Sequence, residues 1–184
     1  LSTLAVGSGL TEVDTPNGAE DADGATFAVG SSGGVETTDG LIGEAAVWAS
    51  KLLTAEEVAA IFHLGVLAVP GAHLYWPMDN TGTAHATDFS GNARNGAYTA
   101  VTLGQPGIGD GRTSALFVPA SSSRNNVYSV SLAGAFSGAE GTMAVWCRWS
   151  AVGVWADATL RTAFNLLADP SVILERAVSL VSRP

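Results

Sequence analysis

The sequence predicts an all-β fold, an antiparallel sandwich that carries one short surface helix. Three observations lead there. Short stretches of alternating apolar side chains recur along most of the chain, clusters of Gly, Ser and Asn separate them, and a single segment has clear helical start and stop signals. That segment comes first because its chemistry is the most explicit. Thr54 and Glu57 form an S/T-x-x-E capping box, Leu53 precedes the cap, and Val58 is placed to staple against it. Val58, Ile61 and Phe62 then follow the i, i+3, i+4 rule, and Gly65 supplies a stop, so a helix is predicted near 54–64.

The remaining elements read as strands. Residues 41–50 place Ile42, Ala46 and Trp48 on one face, with Glu44 interrupting it. Residues 74–79 alternate Leu74, Trp76 and Met78 against Tyr75, Pro77 and Asp79, and Pro77 favours an edge position. Strands are also predicted at 114–118, 126–132, 142–149 and 161–167; in the third of these, Met143, Val145, Cys147 and Trp149 share a face. Residues 170–181 fit two patterns. Asp169 and Pro170 could cap a helix, yet Val172, Leu174, Arg176 and Val178 also alternate as in a strand.

Composition narrows the partners. The chain has 184 residues and a formal charge of −9, with only 14% of residues charged. A nucleic-acid partner would need a basic face to neutralise phosphates, and Lys51 is the only lysine, so nucleic acid and an anionic membrane surface are both disfavoured. The charge is unevenly placed. Residues 1–70 hold ten acids against Lys51, whereas 71–184 hold seven acids and seven arginines. One cysteine, Cys147, excludes an intrachain disulfide and multi-cysteine metal sites. Residues 58–78 carry no Asp, Glu, Lys or Arg, but Gly65, Pro70, Gly71 and Pro77 break them, so a helix end, a linker and a new strand are expected there, not a membrane span. Leu1 to Leu10 lacks the basic start of a signal peptide.

Residues 40–62, GLIGEAAVWASKLLTAEEVAAIF, resemble the closing strand and helix of laminin-G-like, concanavalin A-like jelly-roll domains. Glu44, Trp48, Leu53, Thr54, Glu56 and Glu57 fall into that pattern, and Gly43 replaces its usual Asp. Residues 27–34, FAVGSSGG, resemble the strand and glycine loop before it. After the apolar stretch 66–72, LYWPMDNTGTAHATDFSGNARNGAY resembles the opening of the same kind of domain. GDGRTSALFVPASSSRNNVYSV and FSGAEGTMAVWCRWS resemble its next strands. The end of a domain therefore precedes a beginning. The resemblance implies the tail of one jelly roll at 1–65, a linker at 66–72 and the front of a second at 73–184, a piece of a tandem array. A circular permutation within one sandwich is the alternative.

The resemblance also implies a function: a non-enzymatic, lectin-like recognition or adhesion module in a larger extracellular, cell-surface or virion protein. Its partners would be a glycan or protein surface and other subunits of the same assembly. The alternative is a purely structural virion or surface-assembly component that makes protein–protein contacts, and the third reading is a glycoside hydrolase-type domain. For that third reading, Thr11-Glu12-Val13-Asp14 resembles paired glycosidase carboxylates only in part, because the third acid is missing, with Thr15, Pro16 and Asn17 following, and Pro16 would disrupt the strand; a solvated acidic loop explains it better. Ser8 lacks a nucleophile elbow, Cys147 reads as a core residue, and His63, His73 and His85 have no metal spacing. Calcium is the one cofactor considered. Asp79, Asp88 and Asn92 lie on loops where the resemblance allows an oxygen-ligated cation, whereas Asp21-Ala22-Asp23-Gly24 lacks the further ligands of a helix–loop–helix site. Asp88 to Asn92 also reads as plain turn chemistry, with Asx side chains bonding backbone. Trp155, Tyr98 and Tyr128 are possible sugar platforms, while at least two of Trp48, Trp76, Trp146 and Trp149 are expected in the core.

Overall fold

A computed structural model describes residues 26–32, 36–82, 84–107, 109–118, 126–129, 141–150 and 164–167. Four strands come before the helix: β1 (Thr26–Val29), β2 (Ser31–Ser32), β3 (Glu36–Thr37) and β4 (Gly40–Ala49). Helix α1 (Ala55–Leu64) and a 3-10 turn (Val66–Ala68) follow. The later strands are β5 (Leu74–Trp76), β6 (His85–Ala86), β7 (Gly96–Thr99), β8 (Thr102–Pro106), β9 (Thr113–Phe117), β10 (Asn126–Ser129), β11 (Gly141–Trp149) and β12 (Phe164–Leu167). Residues 1–25 and 168–184 lie outside the described residues, and with them Ser8, Glu12, Asp14, Asp21, Asp23 and the 170–181 segment; Trp155 lies outside as well.

The strands pair antiparallel throughout the described residues. One sheet runs β12-β1-β10-β7-β6, a second runs β11-β4-β9-β8 with β5 also on β4, and β2 pairs with β3 in a small two-stranded sheet. Strand β4 organises the second sheet. Its whole length pairs with β11, so its other edge is shared, with β9 along Gly40 to Ile42 and β5 along Ala45 to Val47. Gly40 allows this close approach: a Cβ there would lie 2.2 Å from the Arg148 carbonyl oxygen.

Among the described residues, the partners of β1 and β4 all come from beyond residue 73. The two segments expected to be parts of separate domains therefore share both sheets. Nor is 66–72 a bare linker. Val66 and Val69 are buried in a cluster with Ala46, Trp48, Ile61 and Tyr75, which is why that stretch is apolar. A second, larger cluster takes Phe27 and Val29 from one sheet and Ile42, Val47, Trp76 and Phe117 from the other. The Phe27 and Trp76 rings sit 5.6 Å apart within it.

The register of β4 differs from simple alternation. Glu44 opposes Trp146 and Ile42 opposes Cys147, so Gly43 is an extra residue, a β-bulge. A one-residue insertion moves each following side chain to the other face. Ile42 thus joins Ala45 and Val47 in the larger cluster, while Ala46 and Trp48 face the helix side. Strand β11 has no such insertion, and Met143, Val145 and Cys147 share the core face as expected.

Helix α1 forms as its capping box requires. The Glu57 N–H donates to Thr54 Oγ1 at 3.3 Å, the Thr54 N–H donates to Glu57 Oε2 at 3.0 Å, and Gly65 ends the helix at φ 89°. The expected stripe narrows, however. Ile61 is buried, Phe62 is half-buried against the Trp146 ring at 5.5 Å, and Val58 remains 51% exposed. The helix is held down from before its start, where Thr142 Oγ1 accepts from the Leu53 N–H at 3.1 Å and donates to the Lys51 carbonyl at 2.9 Å.

Candidate functional site

Glu44 follows the bulge at Gly43 and alternates with Ala46 and Trp48, and only 4% of the residue is exposed. A lone carboxylate there would be costly. Tyr75 on neighbouring β5 donates its Oη–H to Glu44 Oε1 at 2.6 Å, and Arg112 Nη1 donates to the same Tyr75 Oη at 2.9 Å. Arg112 Nη1 also stands 4.0 Å from Glu44 Oε1 and 4.0 Å from Asp79 Oδ2. The result is a chain running from a buried carboxylate through a phenol to a guanidinium at the rim. The Arg112 and Asp79 side chains are 38% and 31% exposed.

Each member is placed by a local device. Asp79 follows Met78, which adopts a left-handed φ of 57° although it is buried and not glycine. Thr113 Oγ1 holds the Asp79 carbonyl at 3.1 Å. Arg112 ends the β8–β9 turn, where its N–H donates to Asp110 Oδ1 at 3.1 Å. A Cβ at Gly107 would lie 2.0 Å from the Arg112 carbonyl oxygen, so only glycine fits there.

The electrostatics follow from burial and from the Arg112 cation. Burial raises the Glu44 pKa above its ordinary 4.5, a shift only partly offset by the Tyr75 hydrogen bond and the Arg112 charge. Tyr75 is pushed above its usual range by burial and then by the Glu44 carboxylate. Arg112 loses some solvation, but Tyr75, Asp79 and Glu44 outweigh that and keep it cationic. A bulge, the left-handed Met78 and a buried carboxylate of raised pKa meet at one place, which makes it the candidate site.

The residues expected as a calcium site divide between two places. Asp79 faces Arg112, whereas Asp88 and Asn92 meet around Ser90 and the His73 carbonyl. Asp88 Oδ1 accepts from the backbone N–H groups of Tyr75 at 3.0 Å and Ser90 at 2.9 Å; Oδ2 accepts from Ser90 Oγ and the Arg94 N–H, both at 2.8 Å. Burial acts to raise the Asp88 pKa, but these bonds outweigh it and hold the carboxyl below its ordinary 3.8. The Asn92 amide donates to the His73 carbonyl at 3.1 Å. This is the turn-chemistry arrangement. Asp88 closes the free edge of β5, and the Phe89 N–H completes the closure by donating to the Tyr75 carbonyl at 2.9 Å. Both Asp88 oxygens and the Asn92 amide nitrogen thus bond the chain itself, while Asp79 stands apart from them beside Arg112. Among the described residues no three His, Cys, Asp or Glu side chains are grouped to hold a metal.

The other candidates fall into place individually. Cys147 is a buried core thiol, its pKa pushed up to about 12 by burial. Tyr98 is half-buried, donates to Asn80 Oδ1 at 3.2 Å and supports the core. His63 sits exposed in the last turn of α1, His73 Nδ1 accepts from the Ala49 N–H at 3.2 Å, and His85 is in edge strand β6. Trp48 and Trp76 are fully buried. Tyr128 lies in β10, paired with Ala28 and Ala97 on the neighbouring strands.

Sequence reasoning missed Arg112 and Tyr75 as partners of Glu44. The available signal was Glu44 itself, a charge inside an otherwise apolar strand, which requires a buried partner. The chain matches no protein-family model, no curated protein and no solved structure.

Proposed function

We propose that this chain is a non-enzymatic recognition module of the concanavalin A-like jelly-roll kind, acting in a larger extracellular, cell-surface or virion assembly. The supporting observation is the Arg112–Asp79 pair, presented at the loop ends of antiparallel strands and braced from beneath by the buried Tyr75–Glu44 hydrogen bond. Braced polar groups of this kind suit recognition of hydroxyl-rich or peptide surfaces, because their orientation is set before the ligand arrives. The sequence resemblance to laminin-G-like domains points the same way. A glycan array, probed with and without calcium, tests the reading. Binding that Arg112→Ala abolishes supports it, and silence in both conditions overturns it in favour of a structural role.

A second reading, a purely structural component that makes protein–protein contacts, is favoured by one observation. Leu52, Val58, Leu64 and Leu67, all in or beside α1, are each more than half exposed.

A further inference from the structure

We propose that Glu44 is a buried proton switch for Arg112. With the Glu44 carboxyl neutral, Arg112 pairs with Asp79 at the rim; with it ionised, Arg112 is drawn inward and Asp79 is left alone. The switch rests on the recognition reading for its purpose, because it regulates the same rim, but the movement itself requires no ligand.

One nitrogen is shared between two carboxylates. Arg112 Nη1 stands 4.0 Å from Glu44 Oε1 and 4.0 Å from Asp79 Oδ2, too far to hydrogen-bond either, and it donates to the Tyr75 hydroxyl at 2.9 Å. The two carboxylates differ in setting. The Asp79 side chain is 31% exposed and the Glu44 side chain 5%. Glu44 Oε1 accepts from Tyr75, but Oε2 has no hydrogen-bond partner among the described residues, and the Val66 N–H aids the carboxylate least of its neighbours. The elements packed against Glu44 offer little else. Strand β5 presents Tyr75, the β8–β9 turn presents Arg112 and Asp110, and β11 opposes it with Trp146. The end of α1 lays backbone over it, where a Cβ at Gly65 would lie 3.9 Å from Oε1 and 4.0 Å from Oε2.

The proton decides which partner Arg112 takes. Ionised Glu44 is a buried charge whose attraction water screens little, and a charge-assisted hydrogen bond to it is stronger than a neutral one. It therefore outcompetes the partly exposed Asp79 carboxylate. Neutral Glu44 exerts no such pull, and Asp79 keeps the guanidinium. The moving part is the long Arg112 side chain, since its backbone N–H is held by Asp110 and the Asp79 carbonyl is held by Thr113. Burial, opposed by Tyr75 and Arg112, sets the exchange above the ordinary 4.5, so the paired rim belongs to the acidic side and the withdrawn Arg112 to the alkaline side. Linkage makes the effect reciprocal: a ligand that engages Arg112 at the rim strengthens the hold of Glu44 on its proton.

Arginine side-chain Nε–Hε resonances of the whole chain, followed by NMR from about pH 4 to about pH 8 and assigned with Arg112→Lys, test the switch without a ligand. The expected result is a titration step in the Arg112 resonance with its midpoint above 4.5, absent in Glu44→Gln. Asp79→Asn separates movement from a mere change of field: it should shift the Arg112 resonance at about pH 5 and leave it in place at about pH 8. If Glu44→Gln does not fold, Tyr75→Phe decides, because loss of the phenol donor should move the step to higher pH. A flat Arg112 resonance, a step that survives Glu44→Gln or stays in place in Tyr75→Phe, or an equal effect of Asp79→Asn at both pH values overturns the proposal and leaves the recognition reading standing. On the glycan array, binding should fall about fivefold or more between about pH 5 and about pH 8 in the native chain and not in Glu44→Gln. Equal binding at both pH values also overturns the proposal. A silent array overturns the recognition reading alone, and the Arg112 titration then decides the switch.

Discussion

Replacing Tyr75 with Phe tests how the fold tolerates a carboxylate inside its sheet. The substitution removes one oxygen and leaves the ring in place, so packing against Trp48 and Val66 is retained. The oxygen has two partners: it donates to Glu44 Oε1 at 2.6 Å and accepts from Arg112 Nη1 at 2.9 Å. A hydrogen bond to a charged group contributes about 1.5–3 kcal/mol, and stranding the buried acceptor adds to the loss. Arg112 is partly exposed and regains water, so its share is small. The expected destabilisation is about 2–4 kcal/mol at pH 7. For a chain of this size that lowers Tm by about 5–15 °C.

The effect depends on pH in a definite direction. The folded-state pKa of Glu44 is already raised above its ordinary 4.5, so its contribution to stability declines as pH rises from 4.5 through the folded value. Without the Tyr75 donor that folded value rises further. The deficit of Tyr75→Phe is therefore largest at neutral pH and shrinks as pH approaches 4.5. Urea unfolding at about pH 7 and about pH 5, in the native chain and in Glu44→Gln, completes a double-mutant cycle. A Tyr75→Phe cost within about 0.5 kcal/mol of zero would refute the reasoning, as would an equal cost with and without the Glu44 carboxylate.

Other consequences can be checked alongside. Asp88→Asn should lose about 2–3 kcal/mol at neutral pH by removing charge-assisted acceptors from Tyr75, Ser90 and Arg94. Because the folded pKa of Asp88 lies below its ordinary 3.8, its contribution is present above that value and lost as pH falls through the lower one, so the acid unfolding limb should flatten in the variant. Gly40→Ala pushes a methyl into the Arg148 carbonyl and should cost about 2–4 kcal/mol in thermal or urea unfolding, with β4–β11 pairing the element lost. Thr54→Ala removes the helix cap and should cost about 1 kcal/mol, read as a fall in Tm with unchanged sheet signal. Differential scanning in calcium and in EDTA tests the calcium expectation at Asp79, Asp88 and Asn92: a calcium-dependent rise in Tm supports a cation there, and an unchanged Tm counts against it.

Much of this protein was already determined by local sequence. The helix at α1 follows from Thr54, Glu57 and Gly65, because capping and stop signals act over a few residues and need no distant partner. Most strand positions follow likewise from alternation, and Leu74, Trp76 and Met78 do share one core face. The Asp88 loop could be read as a turn because its bonds reach mostly nearby backbone.

Other features were decided only by tertiary structure. Whether 1–65 and 73–184 stand apart or share sheets depends on strand pairing across the chain, to which local alternation is blind. The bulge at Gly43 appears only when β4 is laid against β11, and that one extra residue separates Ile42 from Ala46. Once Glu44 is buried, desolvation demands partners. Those partners, Tyr75 and Arg112, are 31 and 68 residues further along the chain, and only the folded sheet brings them within hydrogen-bonding distance of one another.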